Sequence, residues 1–508
     1  MPTSRLKAAV IGSGFGGLAA AIRLQARGID TTILEKRDKA GGRAYVFEDS
    51  GFHFDAGPTV ITAPECIDEL FSLCNRKRQD YVELLPVTPF YRLCWENGDV
   101  FDYVNDEAQL LEQIRRFNPS DVGGYQKFFK YSEAVFEAGY KELVHVPFLS
   151  FWDMIRAAPD LIKLKAYRSV YKTVASYIQN EKLRQAFSFH SLLIGGNPFS
   201  ASAIYTLIHA LERKGGVYFA KGGTHTLVRA LLALFEEMGG RVLLNSEVKE
   251  IVTEQSKVCG VRTVNGEFSP YDLVVSNADV THTYTELLRS TSEVKAVARG
   301  LLGKRYSQAL FVVYFGTDRV YPSVAHHSIL FCNRYKSLLE DIFSRGALPE
   351  ENSFYLHAPC RTDSSLAPEG CDAFYVLANV PNLAKAPLDW SVVGPRYAEW
   401  ILDYLSRSYL PEVKRHIVTQ RFFSPLQFKT ELNAHLGTAF SLEPTLLQSA
   451  YFRVHNRESR LKGLYFVGAG THPGAGVPGV INSAKATVGV ILSELRDIPE
   501  YRLEPAYA

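Results

Sequence analysis

The run Gly12-Ser13-Gly14-Phe15-Gly16-Gly17 constrains this chain more than any other stretch, because it stands between an apolar segment of strand character, Ala8 to Ile11, and one of helical character, Leu18 to Arg27. In such a setting Gly12 permits a tight turn, Gly14 lets the backbone approach a pyrophosphate, and Gly17 allows close strand-helix packing, with Gly16 between them. The helix N-terminus offers unsatisfied N–H groups and the positive end of a dipole to the phosphates. Gly28 suits the C′ position that closes the helix, and Thr31 to Leu34 reads as a second strand. This is the first half of a doubly wound α/β domain.

A GxGxxG alone also occurs as a structural glycine turn. Glu35, followed by Lys36, narrows the reading: it ends the second strand about 20 residues on, where a carboxylate accepts hydrogen bonds from both ribose hydroxyls of a dinucleotide. A 2′-phosphate would be repelled there, which argues against NADP. NAD and FAD share this fingerprint, and the next segment separates them. Gly41-Gly42-Arg43, then Phe54-Asp55-Ala56-Gly57-Pro58-Thr59, fits a cation folding over the pyrophosphate of a deeply buried, extended cofactor. Near the C-terminus, Gly468 to Val480 crowds glycines between a strand, Leu464 to Val467, and a helix from Val480 to about Leu495, so main chain can lie against a flat ring.

A chain of 508 residues exceeds one simple domain, and about 150 residues per domain suggests roughly three. Helical patterning dominates from Phe101 to about Val144 and again from Phe148 to Leu193, interrupted by Pro159. Gly222 and Gly223 open a helix from Thr226 to Met238, followed by a strand Arg241 to Leu244, a hairpin Val248 to Thr263, and a strand Leu273 to Ser276 leading into the turn Asn277-Ala278-Asp279. Aromatic, β-branched strands such as Leu310 to Phe315 and Phe374 to Leu377 then mark a mainly β second domain. The expected division is a dinucleotide domain from 1–70, 221–290 and 456–508, a substrate domain from 71–140 and 291–455, and a helical domain over 141–220.

A net charge of +2 excludes the global footprint of a dedicated nucleic-acid binder. The seven cysteines never form a CxxC pair, so neither zinc nor a disulfide framework is implied, and a reducing cytosolic setting fits. Met1 to Lys7 is short and polar and does not read as a secretory signal. No run of ~18 apolar residues occurs, so any membrane contact is expected to be peripheral. The stretch from Arg156 to Arg184 sets seven cations against Asp160 and Glu181 and interleaves Ile155, Leu161, Tyr167, Tyr171 and Tyr177. It suits an interfacial surface; a solvated helical face is the competing reading.

The whole chain resembles the bacterial and fungal type of phytoene desaturase, most of all the enterobacterial kind that carries phytoene to lycopene in four steps, and more distantly the flavin-containing amine oxidases. The passages that carry this are Arg43-Ala44-Tyr45, Phe54 to Pro58, Phe187 to Gly196, Ala203 to Glu212, Tyr355 to Pro359, Ser364 to Gly370 and His472 to Ala484. The resemblance implies an α/β fold: a Rossmann-type FAD-binding domain assembled from discontinuous segments, a mainly β substrate domain and a helical, membrane-facing domain. It implies FAD as cofactor, with Arg43 on the pyrophosphate beside Gly42, Gly57, Pro58 and Thr59. The backbone of Val248 would hold the adenine, although by itself it is a strand valine. The loop containing Gly470 and the helix start at Gly479 and Val480 would face the ribityl chain and the flavin pyrimidine edge. Many relatives place Asp where this chain has Gly470 or a neighbour, so backbone N–H groups must serve there.

The implied reaction takes hydride from an allylic CH₂ to flavin N5 and a proton from the neighbouring carbon. A substrate without heteroatoms needs an apolar tunnel, and no catalytic triad, metal spacing or carboxylate pair is required or evident. Asp153 and Arg156, at i, i+3 spacing, are the candidate polar helpers, an ordinary surface pair being the alternative. His190, His357 and His472 read as structural. The expected partners are a long apolar polyisoprenoid, a membrane surface on the cytoplasmic side of the cell membrane, and quinone or oxygen as electron acceptor, with no nucleic acid. Competing readings are an amine oxidase, a flavin-dependent carotenoid isomerase and a non-catalytic prenyl-binding escort protein.

Overall fold

The structure, a computed structural model, describes residues 5–142 and 144–496. Residues 1–4 of the polar opening and 497–508 of the third dinucleotide segment lie outside the described residues. A five-stranded parallel sheet gathers strands from remote parts of the chain in the order Leu464–Phe466, Leu273–Ser276, Lys7–Ile11, Asp30–Leu34, Arg241–Leu243. Such strands are covered on both faces, which is why they read as continuous apolar runs. Ala8, Val10 and Ile33 face the helix Phe15–Gln25, itself flanked by the helices Thr224–Glu237 and Val477–Arg496. Ala9, Ile11, Leu34 and Val274 face the other way, onto an antiparallel sheet of Val248–Glu254, Lys257–Thr263 and Phe268–Pro270.

Glycine chemistry closes the first unit tightly. A Cβ on Gly17 would stand 2.0 Å from the carbonyl oxygen of Gly12, so only glycine lets this helix start against this strand. At its other end Gly28 has φ +78° and donates to Gln25 O at 3.0 Å, while Ile29 N reaches Leu24 O at 3.3 Å, a Schellman closure.

A second, seven-stranded sheet runs Ile417–Phe423, Ala309–Thr317, Asp372–Val380, Phe354–His357, His327–Phe331, Tyr91–Trp95, Val100–Tyr103, antiparallel except where Tyr91–Trp95 meets His327–Phe331. Its outer face packs on the helix Trp390–Ser408, and its inner face carries Leu310, Val312, Ile329 and Tyr375 towards the interior. Two sequence expectations differ here. Phe101 belongs to the strand Val100–Tyr103, and helix begins only with Glu107–Phe117 and Asp121–Phe136; a four-residue alternation is masked by the long helical pattern that follows it. Pro159 does not interrupt its helix, which runs Phe151–Lys163. A Ser150 cap with Asp153 as its capping-box partner starts that helix firmly enough to carry the one backbone donor Pro159 lacks.

Asp55, at the end of the two-stranded hairpin Val46–Asp49 and Phe52–Asp55, ties that hairpin to the helix Thr224–Glu237. Its carboxylate accepts from Thr224 N at 2.9 Å and His225 N at 3.3 Å, capping the helix Thr224–Glu237, whose own N-cap is the glycine Gly223. Burial pushes this carboxyl up from 3.8 to about 6 against those hydrogen bonds. Between those two values the unfolded chain has released a proton that the fold retains, so stability falls as pH rises through that window. At 1.36 kcal/mol per pKa unit the loss is on the order of 3 kcal/mol. Denaturant midpoints across pH 4–7 should therefore decline in the wild type and flatten in Asp55→Asn; the same decline in both proteins would contradict this.

Candidate active site

Open parallel sheets bind ligands beyond the carboxyl ends of their strands. Here Ile11 leads into Gly12, Leu34 into Glu35, Ser276 into Asn277, and Phe466 into the Gly468 loop, and all four loops line one cavity. Added Cβ atoms on Gly14, Gly16 and Gly468 would each lie 3.0 Å or less from the Asn277 side-chain amide, so glycine backbone wraps that side chain at the floor of the cradle.

Glu35 is buried, and Ser13 donates to its Oε2 through both N (2.9 Å) and Oγ (2.5 Å), while Arg37 N donates to Oε1 at 3.0 Å. A carboxylate has about four acceptor sites. Three are occupied, so a ribose diol docking here takes the fourth and competes with the Ser13 hydroxyl for another. Arg43 faces the same space from a short turn, Gly42–Ala44, braced by Gly57, whose Cβ would stand 2.1 Å from the Arg43 carbonyl oxygen. Its Nη2 reaches only Thr438 O at 3.5 Å, and its sealed Nε has no hydrogen-bond partner. Burial lowers its pKa from the usual guanidinium value, and the Asp279 charge opposes that. A buried cation with no ion-pair partner within 4 Å among the described residues, set beside a glycine cradle, calls for an anion.

The cavity continues away from the cradle into an apolar limb walled by Leu192, Leu193, Ile208, Val312, Ile329 and Phe331. Thr59 Oγ1, 2.6 Å from Tyr375 Oη and 3.0 Å from Tyr355 Oη, sits where the two parts meet. One carboxylate interrupts the apolar wall. Glu212 is 1% exposed, accepts from Tyr91 Oη at 2.7 Å through Oε1, and has His190 Nε2 3.1 Å from Oε2, off the angle of a hydrogen bond. Phe148, Met154 and Leu161 line the cavity beside the helix Phe151–Lys163.

A family model described as flavin containing amine oxidoreductase matches residues 15–366 and 396–492. The lycopene-forming phytoene desaturase of Pantoea ananas is 57% identical over 486 residues, spanning 96% of this chain and 99% of that protein. The chain belongs to the phytoene desaturase family. Its counterpart in Pseudescherichia vulneris, also lycopene-forming, is 56% identical over 490 residues, 96% of this chain and 100% of that one. The neurosporene-forming enzyme of Cereibacter sphaeroides is 42% identical over 502 residues, 98% and 96% of the two chains. Solved structures share the fold alone: an oxidoreductase from Methanosarcina mazei has a TM-score of 0.64 at 18% identity, covering 95% of this chain and 100% of that one. Cyclohexylamine oxidase from Brevibacterium oxydans has 0.62 at 16%, covering 97% and 100%. The cofactor of this phytoene desaturase relative is FAD, and the glycine cradle, Glu35 and the orphaned Arg43 guanidinium fit it.

Of the residues singled out from sequence, Gly12, Gly14, Gly16, Glu35, Lys36, Gly42, Arg43, Gly57, Pro58, Thr59, Val248, Gly479 and Val480 all line the cavity. Gly17 does not, acting instead in strand-helix packing. Gly470 does not either: its Cβ would stand 2.6 Å from the Val280 side chain, so it serves loop packing. Asp153 and Arg156 are not brought to the cavity. Asp153 caps its own helix, and the Arg156 side chain, 82% exposed, lies 3.8 Å from it; Met154 and Leu161 of the same helix line the cavity and these two do not. His190 pairs with Glu212, His357 is buried in the second sheet, and His472 lines the cavity. Sequence reasoning missed Asn277, Asp279 and Glu212. The first two follow a buried parallel strand, a position that marks ligand loops in this fold; Glu212 is an acid on an otherwise apolar helix face shared with Ile208 and Leu211.

Proposed function

We propose that this protein desaturates 15-cis-phytoene to lycopene with bound FAD, in successive steps of carotenoid biosynthesis. The observation that carries this reading is the single cavity that joins the dinucleotide cradle to an apolar limb with one carboxylate in its wall. Bound FAD supplies a hydride acceptor. The chain's own residues do the rest: the apolar wall takes up a substrate without heteroatoms and excludes water, and the Thr59, Tyr355 and Tyr375 hydroxyls mark the junction where substrate meets cofactor. The proton leaving the neighbouring carbon finds a holder in Glu212 Oε2, with Tyr91 and His190 beside the carboxyl group. Glu212→Gln should keep FAD at full occupancy and slow turnover about 10²-fold or more, the usual share of a positioned acid-base group; unchanged turnover would remove Glu212 from this role. Expression in a phytoene-accumulating host tests the whole reading: lycopene should accumulate, whereas unchanged phytoene or only cis-trans shifts would favour an escort or an isomerase.

We also assign the protein to the cytoplasmic face of the cell membrane, attached peripherally, with a quinone or oxygen taking the electrons. Among the described residues no helix is long and apolar enough to cross a bilayer. The helix Phe151–Lys163 nevertheless exposes Trp152 (68%) and Ile162 (67%), followed in the chain by exposed Tyr167. Arg156, Lys163, Lys165 and Arg168 stand among them, the pattern of an interfacial surface. Met154 and Leu161 of the same helix line the cavity, which supports substrate entry from the lipid. Liposome flotation with anionic lipid should carry the protein upward, and Trp152→Glu with Ile162→Glu should leave it at the bottom; no binding by the wild type at any anionic fraction would contradict the assignment.

A further inference from the structure

Three histidines meet outside the cavity wall. His326 directly precedes the strand His327–Phe331, and His357 ends the neighbouring strand, where it is the register partner of His327. All three are buried, and one ring nitrogen from each lies within 4.8 Å of the others. His326 Nδ1 is 2.5 Å from Thr362 Oγ1, and His327 Nδ1 is 2.7 Å from Tyr355 Oη. Among the described residues the Nε2 atoms of both and the ring nitrogens of His357 make no hydrogen bond of good geometry, the His326 backbone being the polar group that approaches the His357 ring. A buried polar atom left unpaired is unfavourable. One nitrogen from each of three buried rings, gathered within 4.8 Å, points to a shared partner.

The chemistry of the donors narrows that partner. A histidine of ordinary pKa is mostly neutral at pH 7 and then carries one ring lone pair. A ring whose Nδ1 is anchored by a hydroxyl while Nε2 stays free is oriented as metal-binding histidines are. Imidazole donors alone suit zinc and its first-row neighbours, whereas calcium and magnesium require oxygen. Tetrahedral zinc at about 2.0–2.1 Å from each nitrogen sets those nitrogens about 3.4 Å apart, so the three rings, gathered to 4.8 Å or less, must turn and close on the ion when it binds. The rings of Phe219, Tyr91 and Tyr375 pack against His326, His327 and His357 respectively.

We propose that His326, His327 and His357 hold one divalent transition-metal ion of the zinc class, with water as the fourth ligand. The ion ties two strand ends together and, through the His327–Tyr355–Thr59 hydrogen bonds, fixes the hydroxyls at the junction of the cavity. It takes no part in electron transfer. The test uses untagged, FAD-loaded protein prepared in metal-scrubbed buffer. Elemental analysis should find about one zinc-class ion per chain, and chelation followed by Co²⁺ should produce the visible ligand-field bands of a nitrogen-ligated site. His326→Gln with His357→Gln should bind FAD as before and lose both signals. A wild type that carries no such metal and gives no cobalt bands would overturn the proposal, a buried water then filling the centre; so would metal that persists in the folded double variant. Should that variant fail to fold, the cobalt spectrum of the wild type decides alone.

Discussion

Gly17→Ala is expected to give protein that purifies colourless or fails to fold. The new Cβ would stand 2.0 Å from Gly12 O, and both atoms belong to backbone, so no side-chain rotation relieves the overlap. Gly12 cannot retreat either, since it is held at φ +90° by a hydrogen bond from its N–H to Leu34 O at 2.8 Å. The helix Phe15–Gln25 must lift from its strand, which takes the phosphate-facing N-terminus away from the cradle. A loss above about 4 kcal/mol belongs to such forced overlaps. Gly123→Ala, inside the helix Asp121–Phe136 with nothing within 4 Å of the added atom, is the control and should leave stability unchanged or raise it by up to about 1 kcal/mol. Flavin absorbance per protein and the thermal midpoint read both; full flavin in Gly17→Ala would contradict the packing argument.

Arg43→Met is expected to act in opposite directions on the two forms of the protein. It removes a buried guanidinium that has no carboxylate in contact among the described residues, so flavin-free protein should keep its stability or gain some. The loaded protein instead loses the partner of a buried phosphate charge, on the order of 3–5 kcal/mol, or about 10²- to 10⁴-fold in FAD affinity. Flavin titration of the apoprotein and thermal midpoints with and without FAD separate the two effects. A destabilised apoprotein with unchanged FAD affinity would make Arg43 a structural residue.

The dinucleotide half was legible because its strands are buried on both faces and its turns demand glycine: Leu273–Ser276 emerges at the bounds expected, and Gly28 closes its helix as its position suggests. The Val100–Tyr103 strand was not, since four alternating residues carry little signal beside thirty of helical pattern. The position of Asp153 and Arg156 relative to the cavity was not legible for a different reason. Spacing puts two side chains on one helix face but does not say what the face meets, and here Arg156 is exposed while Asp153 caps the helix. Glu212 and the histidine cluster depend on long-range pairing: His327 faces His357 only because two strands thirty residues apart in sequence share a register. The site residues that local backbone chemistry requires could be read; those that tertiary register assembles could not.

The central claim is that FAD in the glycine cradle meets a polyisoprenoid in the apolar limb of the same cavity. Mixing the loaded protein with phytoene in liposomes under strict anaerobiosis, with no other acceptor, tests it directly. The flavin absorbance should bleach in a single turnover, with one new double bond formed per flavin reduced. A flavin that stays oxidised while phytoene is bound, or product that forms without bleaching, would contradict the account.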